Sequence, residues 1–143
     1  MRNLLLIFTL LLSGLMSALP HAEMLVIVNA SNSTTTLEHK QIVDLFMGRV
    51  SAFPNKQPAQ PLDLKAGTPE RAAFYKTLTG KSEAQVDAYW ATLVFAGRMS
   101  PPKQFTDDSA LIQAVAREPA AIAYVSRQPL PKNVKIVMEL SAR

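Results

Sequence analysis

The chain has 143 residues, of which 48% are hydrophobic and 18% charged, with a formal net charge of +4. That composition fits one globular domain and excludes a disordered chain. There is no cysteine, which excludes disulfides, thiolate catalysis, cysteine-ligated zinc and a lipid-modified N-terminal cysteine.

The first residues read as a targeting segment. Arg2 supplies a positive start, Leu4 to Leu12 an apolar run interrupted only by Thr9, and a more polar stretch leads to Ala22. The run is too short for a membrane span and has the flanks of a signal peptide over residues 1–22. Cleavage after Ala22 is expected, with Ala18 as the alternative, leaving a soluble exported domain over residues 23–143. Export argues against a nucleic-acid partner. The basic excess is compatible with a small anion and equally with solvated surface lysines.

Met24 to Val28 is an unbroken apolar run and predicts a buried strand. A polar loop over Asn29 to Thr36 leads into a helix, with Thr35 and Glu38 spaced as a capping box, Ile42, Leu45 and Phe46 on its apolar face, and Gly48 as its stop. After a turn at residues 54–58, Pro61 to Leu64 predicts a second strand. A helix then opens abruptly: Gly67, Thr68 as N-cap, Pro69 at the first helical position, Glu70 at the positive end of the dipole. It buries Phe74, Tyr75 and Leu78 and ends at Gly80. Ser82 and Gln85 form a capping box for the longest helix, whose stripe is Val86, Tyr89, Trp90, Leu93 and Val94.

Arg98 to Phe105 reads as a loop stiffened by Pro101-Pro102. Asp107 or Asp108 caps a further helix burying Leu111, Ile112 and Val115 and stopping before Pro119. Ala121 to Val125 predicts a strand of small residues. Val134 to Leu140 predicts a last strand, with Val134, Ile136 and Met138 on one face. Strands alternating with helices give an α/β fold, a mixed sheet with flanking helices.

The chemistry is one of binding rather than turnover. His39 is the one histidine beyond the targeting segment, so a histidine-ligated metal cluster is excluded, and it lies on an ordinary amphipathic helix with no nucleophile elbow nearby. Asp107 and Asp108 stand where a helix needs a cap and an acidic first turn. Neither an enzyme nor a cofactor is expected. What remains is a set of donor-rich helix starts: Ser31, Ser33, Thr34 and Thr35 before one helix, Gly67 and Thr68 before another. The first amides of a helix have no acceptor inside it, so they are available to an anion. One such end holds an exposed anion with only about 0.3–1 kcal/mol, whereas micromolar binding takes about 8 kcal/mol. Both loops would therefore have to converge on the ligand, with Arg71 or Lys65 added.

Four passages resemble the small phosphate-binding-protein-like members of the periplasmic substrate-binding superfamily. They are Ile42 to Arg49 (a helix ending in Phe-x-Gly-Arg), Ala66 to Tyr75 (a Gly-Thr helix start followed by Arg and Phe), Tyr89-Trp90 with Phe95 to Arg98 and Pro101-Pro102, and Glu118 to Val125. The resemblance implies a single lobe of the periplasmic-binding-protein type. It implies phosphate or a similar oxyanion held by Ser31, Ser33, Thr34, Gly67, Thr68 and Arg71. As partners it implies an ABC importer's permease or another envelope protein, and a homodimer where two lobes must enclose a ligand. A different class of function stays open: a structural or regulatory envelope module that keeps the fold, has lost small-anion binding and contacts a protein.

Overall fold

A computed structural model describes residues 23–141, so the expected signal peptide over residues 1–22 lies outside the described residues. The elements in chain order are β1 (Glu23–Asn29), α1 (His39–Phe46), β2 (Gln60–Leu64), α2 (Pro69–Thr79), α3 (Glu83–Phe95), β3 (Lys103–Phe105), α4 (Asp108–Arg117), β4 (Ala121–Ser126) and β5 (Val134–Ser141). They build one five-stranded mixed sheet in the order β3-β2-β4-β1-β5. Among the described residues no helix is long and apolar enough to cross a membrane.

Strand β1 lies between β4 and β5 and is antiparallel to both. Strand β2 runs parallel to β3 and β4. Four strands thus point one way and β1 the other. Met24 to Val28 and Ala121 to Val125 are buried at every position, which requires cover on both faces of the sheet and explains their unbroken apolar sequences. On one face Tyr124 of β4 stacks on Phe74 of α2, with Phe46 of α1 edge-on to both.

Most local signals act as the sequence predicts. Ser82 and Gln85 exchange their capping hydrogen bonds, Asp107 caps α4 through the Ala110 amide, and Gly80 closes α2 in the left-handed conformation. Four expectations need correction. The first helix is boxed one turn later, Glu38 donating its amide to the Gln41 side chain, because residues up to Leu37 stay extended to pair with β5 through the Val137 carbonyl. Lys103–Phe105, expected as loop, is a short edge strand; prolines before it and a polar sequence hide a strand paired on one side only. In β5 the inward residues are Val134, Val137 and Leu140, while Ile136 is exposed. The cause is a bulge: Val26 faces Met138 and Ile27 faces Ile136, so Val137 is extra and inverts the alternation. Lastly, Val94 on α3 is exposed, and Val86 and Trp90 are the helix's buried residues.

Candidate functional site

The edge formed by the carboxyl ends of β2, β3, β4 and β5 carries the starts of α2 and α4. At α2, Thr68 is the N-cap and Pro69 the first helical residue. The Thr68 hydroxyl does not cap the helix but donates to the Lys65 carbonyl at 3.0 Å. Among the described residues no side chain accepts from the first-turn amides of α2, which leaves donors at the positive end of the dipole. Gly67, with φ of +90°, turns its amide the other way. That amide donates to Glu83 Oε1 at 2.8 Å.

Arg71 is not at the surface. It is 2% exposed, and its guanidinium donates from Nε to Asp63 Oδ2 (3.1 Å), from Nη1 to Glu83 Oε1 (2.7 Å) and from Nη2 to Asp87 Oδ1 (2.9 Å). Asp63, also buried, further accepts from the Tyr75 hydroxyl at 2.9 Å, from the Leu64 amide at 2.8 Å and from the Tyr124 hydroxyl. Burial by itself would lower the Arg71 pKa, but its hydrogen bonds to Glu83, Asp87 and Asp63 and the charge of Asp63 outweigh that and raise it. For Glu83 desolvation acts upward, yet the Arg71 and Gly67 donors prevail and hold the carboxyl below its ordinary range. The carboxylate of Glu83 therefore lies against the Gly67 amide and Arg71, two of the donors expected to hold an external oxyanion.

Burial, and then the neighbouring Asp63, push the Tyr75 and Tyr124 hydroxyls up. A folded-state pKa above the unfolded value means that the stabilising protonated form is fully present below about pH 10, the ordinary tyrosine value. The unfolded chain ionises first as pH rises past that point. Alkaline titration of stability is expected to be flat below about pH 9 and then to fall by up to about 1.4 kcal/mol per pH unit for each tyrosine. Chemical denaturation at a series of pH values measures this directly, and the slope should diminish in Tyr75→Phe.

The serine and threonine loop after β1 lies elsewhere. Because β1 is antiparallel, its carboxyl end is level with Gln60 and Ala121, the beginnings of β2 and β4. Four residues of strand separate that level from Leu64, at least about 13 Å. Ser31, Ser33 and Thr34 therefore do not converge with Gly67, Thr68 and Arg71 on one small anion; the expectation assumed that both strands point the same way. The loop is organised by asparagines. Asn29 Oδ1 accepts from the Ser31 amide and hydroxyl while its Nδ2 donates to the Val115 and Ala116 carbonyls at the end of α4. Asn32 Oδ1 accepts from the Thr34 amide, and Asn55 Nδ2 reaches Ser33 Oγ at 2.7 Å and Thr34 Oγ1 at 3.2 Å.

A second carboxylate sits at the start of α4. Asp108 Oδ2 accepts from the Ser126 amide (3.0 Å), the Ser126 hydroxyl (2.5 Å) and Gln128 Nε2 (2.9 Å).

No protein-family model and no curated protein matches the chain. Solved structures do. A protein assigned as a phosphate ABC transporter substrate-binding protein from Clostridium perfringens, with bound phosphate, superposes at a TM-score of 0.65 and 17% identity, over 81% of this chain and 45% of its own. An ABC-type phosphate transport receptor from Vibrio cholerae gives 0.63 and 17%, over 81% and 46%. PstS from Borrelia burgdorferi gives 0.56 and 8%, over 74% and 42%. The fold is that of one substrate-binding-protein lobe. The lobe spans less than half the length of the proteins it matches.

Asp63, Glu83, Asp87 and Tyr124 are the site residues that sequence reasoning missed. Asp63 left one trace, a lone acid in the buried strand Leu62-Asp63-Leu64.

Proposed function

We propose that this chain is an exported, non-enzymatic substrate-binding lobe that takes phosphate or a similar small oxyanion at the start of α2. The observation that carries this reading is the first turn of α2, whose amides meet no side-chain acceptor among the described residues, at the strand-end edge of the lobe. Its likeness in fold to proteins described as phosphate receptors supports it. Thr68 and the amides of Glu70 and Arg71 are the proposed contacts, with Lys65 as the nearby cation. Gly67 and Arg71 shape the turn from behind. The Ser31, Ser33 and Thr34 loop, at the other end of the sheet, is no part of this contact. Delivery to an ABC importer, with a second copy of the chain completing the enclosure, follows from the same reading.

A second reading rests on Glu83. Its carboxylate already satisfies the Gly67 amide and one arm of Arg71, as expected of an envelope module that keeps the fold without the ligand.

Calorimetric titration of the chain from Glu23 onward with phosphate, and with sulfate for comparison, separates the two. The expected result is saturable phosphate binding that weakens about tenfold in Thr68→Val, the loss of the one hydrogen bond the hydroxyl gives the anion on turning from the Lys65 carbonyl, with the thermal transition unmoved. A flat titration of folded protein with both anions would overturn the oxyanion reading and leave the module.

A further inference from the structure

Large apolar side chains are exposed at few places among the described residues, and they gather at one. Phe95 is 96% exposed, Val94 51%, Val50 44% and Met99 39%. All four lie in or directly beside two turns that touch. Helix α1 ends in Phe46-Met47-Gly48-Arg49 and α3 in Phe95-Ala96-Gly97-Arg98, the same four-residue pattern with a left-handed glycine, φ of +69° and +65°. The turns meet where the Met99 sulfur and the Trp90 ring lie so close over Gly48 that a Cβ there would stand 2.8 Å and 2.7 Å from them. The first phenylalanine is buried in the core and the second projects into solvent.

Each turn also carries an arginine. Arg49 stands 3.4 Å from Asp44, a carboxylate it shares with Lys40. Arg98 is exposed and makes no ion pair with a described residue. The tip therefore exposes apolar side chains and is cationic in balance.

We propose that this twin-turn tip, led by Phe95 and flanked by Arg49 and Arg98, docks on an anionic phospholipid surface. Three considerations select that occupant. A second copy of the chain would set like charges face to face, which is unfavourable. Four exposed side chains, three of them only in part, offer about a few hundred Å² at most, against roughly 800 Å² per partner in a standard protein interface. A bilayer needs no complementary pocket: an aromatic ring enters the headgroup boundary while each basic side chain gains from the negative surface potential. The tip lies at the opposite end of α3 from Glu83, roughly 18 Å along the helix. Its behaviour is thus independent of the oxyanion reading.

The test is flotation of the chain from Glu23 onward, whose core closes within Met24 to Leu140, with vesicles of phosphatidylethanolamine and phosphatidylglycerol, and with phosphatidylcholine alone. Binding is expected to the phosphatidylglycerol vesicles and to weaken with added salt. Phe95→Ser should reduce the partition coefficient at least about tenfold. Arg98→Gln should reduce it about fivefold, the share of one basic residue near an anionic surface. Neither change should move the thermal transition, because both side chains are exposed. Absence of binding to anionic vesicles, or equal binding by Phe95→Ser, would overturn the proposal. So would Phe95-dependent crosslinking to an envelope protein without vesicle binding, which would assign the tip to a protein partner.

Discussion

Replacing Asp63 by alanine is expected to lower stability by about 3–5 kcal/mol, the range for breaking a buried charged network by removing one partner. Asp63 is 1% exposed, and its carboxyl receives Arg71, Tyr75, Tyr124 and the Leu64 amide. Its removal strands two tyrosine hydroxyls away from water and leaves Arg71 with only the two outer carboxylates. A domain of this size has about 5–15 kcal/mol in total. The thermal midpoint should accordingly drop by roughly 10–20 °C. Asp63→Asn keeps one acceptor oxygen, for one of the two tyrosines, and an amide from which the other hydroxyl can accept, and should lose less. Denaturant melts of the two variants check the ordering, and equal losses would show that packing rather than hydrogen bonding dominates the site.

A second large effect is expected at Phe74. Its ring stacks on Tyr124 with centroids 3.7 Å apart and meets Phe46 and Tyr75 edge-on at 4.9 Å and 5.1 Å. Phe74→Ala should cost about 3–5 kcal/mol through lost contacts and the cavity left behind. The cavity also removes the platform that positions the Tyr124 hydroxyl over Asp63. The two sites share Tyr124, so their effects should not add. A double-mutant cycle on Phe74→Ala and Asp63→Ala should return a coupling of at least about 0.5 kcal/mol; strict additivity would disconnect the aromatic cluster from the polar network.

The parts of the fold that were legible in sequence are those set by local chemistry. Pro69 after Thr68, the Ser82 and Gln85 box, and glycine at position 80 each fix a boundary through neighbours within a turn. The unbroken apolar runs of β1 and β4 signalled a sheet covered on both faces. What could not be read depends on pairing across the chain. The burial of Ile136 against Val137 is decided by a bulge opposite Val26 and Ile27, and nothing in residues 134–140 states it. Strand direction is likewise absent from local pattern, and the direction of β1 alone separates Ser31, Ser33 and Thr34 from Thr68. Arg71 reads as a surface donor because arginines usually are. Three acids drawn from Asp63, Glu83 and Asp87 bury it, and those acids occupy a strand and the start of another helix.

The placement of β1 also governs when this protein can exist as a folded object. Met24 pairs with Leu140 on one side and with Ser126 on the other. The first of the described strands to be synthesised is therefore the last of them to be enclosed. Until β4 and β5 emerge, both its edges lack partners, and the order of events in folding is set by closure of the long loop between β1 and β4. A nascent copy is consequently held open by its own topology until β4 and β5 are both available to β1.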